Sequence, residues 1–167
     1  SKMVSSIFRR MKLPTNEQMK YVQKLVLLHL RPISLAKKEV TESAIRRLLF
    51  DAQNEIDDLM ILCDADITSK NKYKVSKYKK NLKKVAQKLK DVEKRDKIRN
   101  WKSPISGNDI MHKLNLKGGK SHPEEGKKVA VIKELIKDAI LDGKIQNNYS
   151  EAEKLMYKIA QQIAIKK

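Results

Sequence analysis

Apolar residues recur along this chain at spacings of three and four, the repeat that places side chains on one face of an α-helix. No stretch alternates between apolar and polar residues for more than a few positions, as a half-buried strand would. The four prolines and five glycines lie mainly between the periodic segments. The pattern therefore predicts an all-α protein, an irregular helical body with one long helix and a small helical tail.

Capping and helix-breaking residues predict where several helices begin and end. We expect Thr15 to open the second helix through a capping box, and Pro32 to stop it. The apolar run 26–28 indicates that this end of the helix is deeply buried. Thr41 is expected to cap the next helix. The predicted bounds that the pattern supports are 5–11, 54–66, 73–100 and 108–114.

The long helix carries a narrow apolar seam. Its spacing would suit a coiled coil, but two and a half heptads are too few to require one, so packing against the same domain is favoured. The seam consists of Val75, Tyr78, Leu82, Val85, Leu89 and Val92.

Beyond the long helix, residues 101–106 contain Pro104 and form the best candidate boundary, which divides the chain into 1–102 and 103–167. Residues 117–126 are expected to form a flexible loop, because they combine three glycines with a proline. Gly143 is expected to end the helix that follows, as a C-terminal cap. Ser150 and Glu153 predict a capping box for the last helix.

The charge distribution is the first feature of the sequence that indicates a function. The net charge is +18 and the pI is about 9.9, a balance that attracts polyanions. Residues 70–102 hold 15 Lys or Arg against three acids. Without balancing acids, the lysines along one side of the helix repel one another, and a bound polyanion would relieve that repulsion. The candidate phosphate contacts in this stretch are Lys70, Lys77, Lys80, Lys84 and Lys88.

Nucleic acid is the favoured partner of this basic stretch, ahead of a merely solvated face and of an anionic membrane surface. No apolar run approaches the 18 residues of a membrane span, and no Trp-, Phe- or Leu-rich face opposes the lysines. Lysine attracts phosphate without reading bases, so recognition of backbone and shape is expected, as for folded RNA.

Few residues invite a catalytic interpretation. Asp64 and Asp66 form a DxD pair, but on a helix side chains two apart do not face each other, so we do not interpret them as a polymerase metal site. His29 and the single cysteine, Cys63, are predicted to pack in the core. One cysteine allows no internal disulfide, which fits a reducing compartment. The stretch 118–121 is interpreted as a loop, since it lacks the strand of a P-loop.

Five stretches of the chain form a recognisable set: 25–33 (LVLLHLRPI), 40–49 (VTESAIRRLL), 62–71 (LCDADITSKN), 105–111 (ISGNDIM) and 137–143 (KDAILDG). Taken together, they resemble the C-terminal part of a bacterial CCA-adding tRNA nucleotidyltransferase, of the HD-domain-containing type in the tRNA nucleotidyltransferase/poly(A) polymerase family. They occur in the family's order and near its spacing, and they cover nearly the whole chain. The chain departs from the family at 118–128, where a tight turn is expected.

The resemblance implies a fragment of a cytoplasmic transferase that adds or repairs the 3′-terminal CCA of tRNA, using CTP, ATP and Mg²⁺. The body would be the second half of an HD-like domain. Because the catalytic head is expected upstream, no catalytic residue and no cofactor are assigned to this chain. Arg31, Arg46 and Arg47 match basic positions of the family and are expected to contact tRNA. Asp66 matches the last ligand of an HD metal site, which is incomplete here.

Other parents fit the same chain. One is an HD-type metal-dependent phosphohydrolase, and a second, within the same class, is a poly(A) polymerase. A third is a non-catalytic helical adaptor whose seam pairs with another protein, which leaves the oligomeric state open. The sequence upstream of Ser1 distinguishes the transferase from the phosphohydrolase, and solution mass as a function of concentration tests the adaptor.

Overall fold

Every regular element that the computed structural model describes is helical. The described residues are 1–37, 40–117 and 121–165. They contain two short 3-10 turns besides the α-helices and no strand, which confirms the predicted all-α class. The α-helices are α1 (Val4–Arg10), α2 (Glu17–Leu28), α3 (Leu30–Lys37), α4 (Glu42–Ala52), α5 (Ile56–Asp66), α6 (Lys72–Asp96), α7 (Gly107–Lys113), α8 (Pro123–Leu141) and α9 (Tyr149–Ile165).

The chain divides into two compact units, Ser1–Trp101 (the N-terminal unit) and Lys102–Lys167 (the C-terminal unit). In the N-terminal unit α4 is surrounded by α2, α3, α5 and α6. Its side chains Ile45, Leu48 and Leu49 are completely buried, and Thr41 caps it as predicted, accepting from the Ala44 N–H. Apolar residues at helical spacing therefore build the core around this helix.

Helix α6 lies against α3 and α4. The last four seam residues, Leu82, Val85, Leu89 and Val92, are buried in this unit, and Val75 and Tyr78 are half-buried. This part of the seam therefore packs within its own unit, as favoured from the sequence. The helix begins where the Asn71 carboxamide oxygen accepts from the Lys74 N–H at 3.1 Å. It ends at Asp96, four residues before the predicted end.

The early end of α6 has a backbone cause. Lys97 takes the left-handed conformation, with φ of 49°, and a 3-10 turn over Ile98–Asn100 follows. Ile98 is buried, and the Trp101 ring packs edge-on against Phe50 with the ring centroids 5.5 Å apart. The burial of Ile98 and the ring contact of Trp101 thus come directly after the end of the helix. The lysine-rich sequence contains no local signal for this helix end.

The prediction for the α2–α3 region is wrong in three respects. Asn16, and not Thr15, caps α2, because its carboxamide oxygen accepts from the Gln18 N–H. Pro32 lies in the first turn of α3, where a missing N–H is tolerated, so it does not act as the stop. The run 26–28 is not deeply buried: Leu27 is 66% exposed and only Leu28 faces the core.

The C-terminal unit consists of α7, α8 and α9, and α8 packs on both of the others. Helix α8 begins at Pro123, so the loop predicted over 117–126 ends earlier than expected, and its residues 118–120 lie outside the described part of the chain. Proline suits this first helical position, since its fixed φ is already helical. Gly143, with φ of 72°, ends α8 as predicted.

Side-chain caps of the C-terminal unit differ from the predicted ones. A capping box that the sequence analysis missed joins Ser106 and Asp109 at the start of α7. At the start of α9, the Asn148 side chain accepts from the Glu151 N–H at 2.9 Å, two residues before the predicted Ser150 cap. Glu153 instead forms an ion pair with Lys113 at 2.5 Å. The predicted box at Ser150 and Glu153 is therefore wrong.

Replacing Asn148 with alanine is expected to destabilise the C-terminal unit by about 1 kcal/mol, because the Glu151 N–H loses its partner. Urea denaturation followed by circular dichroism would measure the change. Ser150→Ala is the matched control and should change the free energy of unfolding by at most a few tenths of a kcal/mol, roughly the propensity difference. Equal effects of the two substitutions would contradict the assigned cap.

Candidate nucleic-acid interface

Four lysines of α6 form a row on one side of the helix, away from its buried seam. Lys77, Lys80, Lys84 and Lys88 are separated by three, four and four residues, which keeps them on one face. All four are exposed. With a rise of about 1.5 Å per residue, the row is about 16 Å long. We call these four residues the lysine row.

Three members of the lysine row have no hydrogen-bonding partner among the described residues. Within the described parts of the chain, Lys77, Lys80 and Lys84 have no carboxylate within ion-pair distance, whereas Lys88 donates to the Val40 carbonyl at 3.0 Å. Asp91 follows one turn later and accepts from the Gln87 amide at 2.9 Å. The uncompensated positive charge therefore lies along the middle of α6, and a carboxylate limits it toward the C-terminal end.

A second set of lysines lies on a different flank of the same helix. Lys72, Lys83 and Lys90 are exposed there, and Lys79 forms an ion pair of 3.0 Å with Asp64. The first aspartate of the DxD pair thus serves as a partner for a lysine. Asp66, the candidate metal ligand, is an exposed residue at the end of α5, and the described residues contain no cluster of three His, Cys, Asp or Glu side chains.

The arginines predicted to contact tRNA are placed differently from the lysine row. Arg31 forms an ion pair with Asp51, and Arg46 donates to Asp96 at 2.7 Å and to Glu42 at 3.1 Å. Arg47 lies partly buried on α4. Lys70 is exposed in the turn before α6. Since Arg31 and Arg46 already bind carboxylates, a phosphate would have to compete for them, whereas the lysine row offers its charge directly.

A four-residue ionic network joins α4 to the end of α6. Asp96 accepts from Arg46 and from the Arg95 Nε, both at 2.7 Å, and the Arg95 guanidinium also donates to Glu42 at 2.7 Å. The hydrogen bond from Arg95, followed by that from Arg46, holds the pKa of Asp96 below its usual value. The Arg95 hydrogen bond likewise lowers the pKa of Glu42, and both carboxylates raise the pKa of Arg95.

Replacing Asp96 with asparagine is expected to destabilise the N-terminal unit by about 1–2 kcal/mol at pH 7, because two charge-assisted hydrogen bonds are weakened. A carboxyl group whose pKa is lowered on folding stabilises the fold above its unfolded pKa, near 4, and the gain is lost as pH falls through the folded pKa. The difference between variant and wild type should therefore shrink below about pH 4. Urea denaturation at a series of pH values measures it, and a pH-independent difference would contradict the network's role.

The Cys63 side chain is buried, and its thiol is expected to be unreactive. Its Sγ donates to the His29 carbonyl at 2.8 Å, and burial, with a smaller effect of Asp66, raises the pKa of the thiol to about 12. The thiolate that would act as a nucleophile or metal ligand is thus disfavoured. His29 is half-buried, with Nδ1 2.7 Å from the Val26 carbonyl. Cys63 therefore packs in the core, as predicted, whereas the prediction that His29 packs there is wrong, because its side chain is only half-buried.

One exposed aromatic residue beside the lysine row was not selected from the sequence. Tyr73 lies four residues before Lys77, so it occupies the same side of α6, and it is 76% exposed. The available signal was its spacing, because a tyrosine at position i−4 from the first lysine extends the face that the lysines share. Charge alone does not select it, because a tyrosine carries none at neutral pH.

Fold and surface together define an all-α protein whose helix α6 displays a row of lysines without carboxylate partners in the described parts of the chain. Among the described residues, no helix combines the length and the apolar character needed to cross a membrane. Comparison of this chain with protein-family models, curated proteins and solved structures found no match.

Proposed function

We propose that this chain binds structured RNA, with tRNA as the leading candidate, and that the lysine row is the principal contact. The observation that carries the proposal is the row itself: exposed ammonium groups without carboxylate partners in the described residues, held on the rigid face of a 25-residue helix. A row about 16 Å long presents charge along a line, which suits a ribose-phosphate backbone better than a compact anion.

The lysines favour recognition of backbone and shape over base sequence. An ammonium group on a flexible stem is a hydrated point charge, whereas guanidinium groups read base edges in a bidentate manner. The guanidiniums of Arg31, Arg46, Arg95 and Arg99 are engaged with carboxylates of the chain. The free charge is therefore mainly lysine, and a folded RNA is a partner selected largely by the position of its phosphates.

The choice of tRNA comes from the five stretches that resemble a CCA-adding tRNA nucleotidyltransferase. On that basis we propose that this chain is the RNA-holding part of a cytoplasmic enzyme that completes the 3′ end of tRNA from CTP and ATP with Mg²⁺. The HD-like character of the N-terminal unit belongs to the same proposal. In this proposal the described residues bind the RNA, and nucleotide addition is assigned to a separate catalytic head of the same enzyme.

Binding of a tRNA transcript across a range of salt concentrations tests the proposal, with fluorescence anisotropy as the readout. Each lysine–phosphate contact lowers the slope of log affinity against log salt by about 0.7–0.9, so four contacts give a slope near −3. The control ligand is heparin at the same concentration of anionic groups. The proposal would be overturned if the affinity for tRNA did not change with salt concentration, or if heparin bound as tightly as tRNA.

A further inference from the structure

Tyr73 extends the lysine row by one turn. The row begins at Lys77, and Tyr73 precedes it by four residues on the same side of α6. Its side chain is the most exposed among the large apolar and aromatic residues of the described chain, at 76%. Proteins that bind single-stranded nucleic acid combine solvent-exposed aromatic rings with nearby positive charges. The bases stack on the rings, and the charges bind the backbone phosphates.

The ring of Tyr73 has no partner among the residues that the structure describes. Within the part of the chain that the structure describes, it has no aromatic neighbour, no cation over its face and no hydrogen bond from its hydroxyl group. Other tyrosines are engaged: Tyr21 donates its hydroxyl to Asp58 at 3.0 Å, and the Lys113 ammonium lies 5.6 Å from the Tyr149 ring centroid. Packing or hydrogen bonding within the fold therefore does not account for Tyr73.

The backbone at Tyr73 is held in place. Residue 73 is the second residue of α6, and the Asn71 side chain caps this turn by accepting from the Lys74 N–H. Exposed lysines flank the ring in sequence at Lys72 and Lys74, and Lys70 precedes the cap. A nucleotide whose base stacks on the ring would have its phosphate within a strongly positive region.

We propose that Tyr73 stacks on an unpaired base of the RNA whose backbone follows the lysine row, so that this surface selects junctions between a duplex and a single strand. This inference rests on the proposed function. A base inside a duplex is covered on both faces by its neighbours, whereas an unpaired base beside the duplex offers a free face. The partner class is thus an RNA helix that carries an unpaired nucleotide at its end or loop, in preference to a blunt duplex.

The test compares two RNA hairpins that are each closed by a non-nucleotide linker, so that neither has unpaired loop bases. They differ only in a short single-stranded 3′ overhang, with 2-aminopurine as the first unpaired base. Stacking quenches 2-aminopurine fluorescence, so the readout reports the ring contact directly, and anisotropy gives the affinity. Tyr73→Ala should weaken overhang binding by about 5- to 150-fold, the range for one stacked base, and abolish the quenching. Blunt hairpin affinity should change by less than about two-fold, and Tyr73→Phe should retain the overhang preference.

Tyr157→Ala is the control, since Tyr157 is also exposed, at 43%, but belongs to the C-terminal unit. It should leave the affinities of both hairpins unchanged. Urea denaturation of Tyr73→Ala should match wild type, because an exposed ring contributes little to the core. The salt slope should also stay the same, since no charge is removed.

Two results would overturn the inference while leaving RNA binding intact: equal overhang affinity of wild type and Tyr73→Ala, or equal weakening of overhang and blunt hairpins. Weakened binding of Tyr73→Ala to anionic lipid vesicles, with RNA binding unaffected, would also overturn it and indicate a membrane surface as the partner. Failure of the wild-type protein to bind either hairpin at low salt would instead refute the proposed function itself.

Discussion

Replacing Lys77, Lys80 and Lys84 together with alanine is expected to weaken tRNA binding on the order of 100-fold at 0.1 M salt. Each lost contact removes the release of about 0.7–0.9 counterions, so the slope of log affinity against log salt should become shallower by about 2–3 units. At 1 M salt, where counterion release contributes little, variant and wild type should converge. Anisotropy titrations at several salt concentrations give both quantities.

The matched control for this substitution lies on the same helix. Lys83→Ala, Lys90→Ala and Lys94→Ala together remove the same charge from exposed positions on another flank of α6, away from Tyr73. The control and test variants share net charge and nearly the same helix propensity, so any difference in binding reports the position of the lysines. We expect the control triple variant to retain most of the salt slope.

Equal losses in the two triple variants would show that the overall positive field attracts RNA and that the lysine row has no special part. A folded test variant with undiminished affinity would remove the lysine row from the interface altogether. Since the three substituted side chains are exposed and form no ion pair with the described residues, urea denaturation should show no loss of stability. Relief of their mutual repulsion is worth a few tenths of a kcal/mol each, roughly, in the stabilising direction.

Replacing Leu82 with aspartate is expected to destabilise the N-terminal unit by at least about 3 kcal/mol. Leu82 is 4% exposed, so the substitution removes a buried apolar side chain and places a carboxylate in the core, where water cannot solvate it. A loss of this size consumes a large share of the stability of a typical domain, roughly 5–15 kcal/mol. Urea denaturation at pH 7 measures it, and RNA binding should fall with the folded fraction.

The same substitution distinguishes internal packing from the adaptor hypothesis, in which the seam pairs with a second protein. Ser76→Asp introduces the same charge at an exposed position of α6 and should leave the unit stable. If the Leu82→Asp variant stayed fully folded and was monomeric at concentrations where the wild type forms a dimer, the seam would be an interface between chains. Light scattering at increasing concentration provides that measurement.

Much of the fold follows from local pattern. The seam of α6 and the inner face of α4 were predictable because helix geometry fixes which residues share a face, whatever lies opposite. Thr41 and Gly143 were predictable because a cap satisfies backbone groups within a few residues. The errors arose where two signals competed: Asn16 and Asn148 cap helices for which neighbouring Thr15 and Ser150 fitted the pattern nearly as well.

The candidate interface was only half predictable. The excess of lysine over acid in residues 70–102 is a property of composition, and the spacing of the lysine row is a property of the helix. Neither shows which cations are already neutralised. Arg46 appeared as suitable for phosphate as Lys80, yet it lies in a network with Asp96, a residue 50 positions away.

Helix periodicity and charge content thus belong to the sequence, because the 3.6-residue repeat and the formal charges need no partner to be read. The tertiary structure decided which charges remain available, since ion pairing depends on distance through space. Glu42 reaches Arg95 across 53 residues and Asp64 reaches Lys79 across 15, while no described carboxylate reaches Lys77, Lys80 or Lys84. Coulomb attraction falls with separation and with solvent screening, so only the folded arrangement separates the lysine row from the cations that hold the fold together.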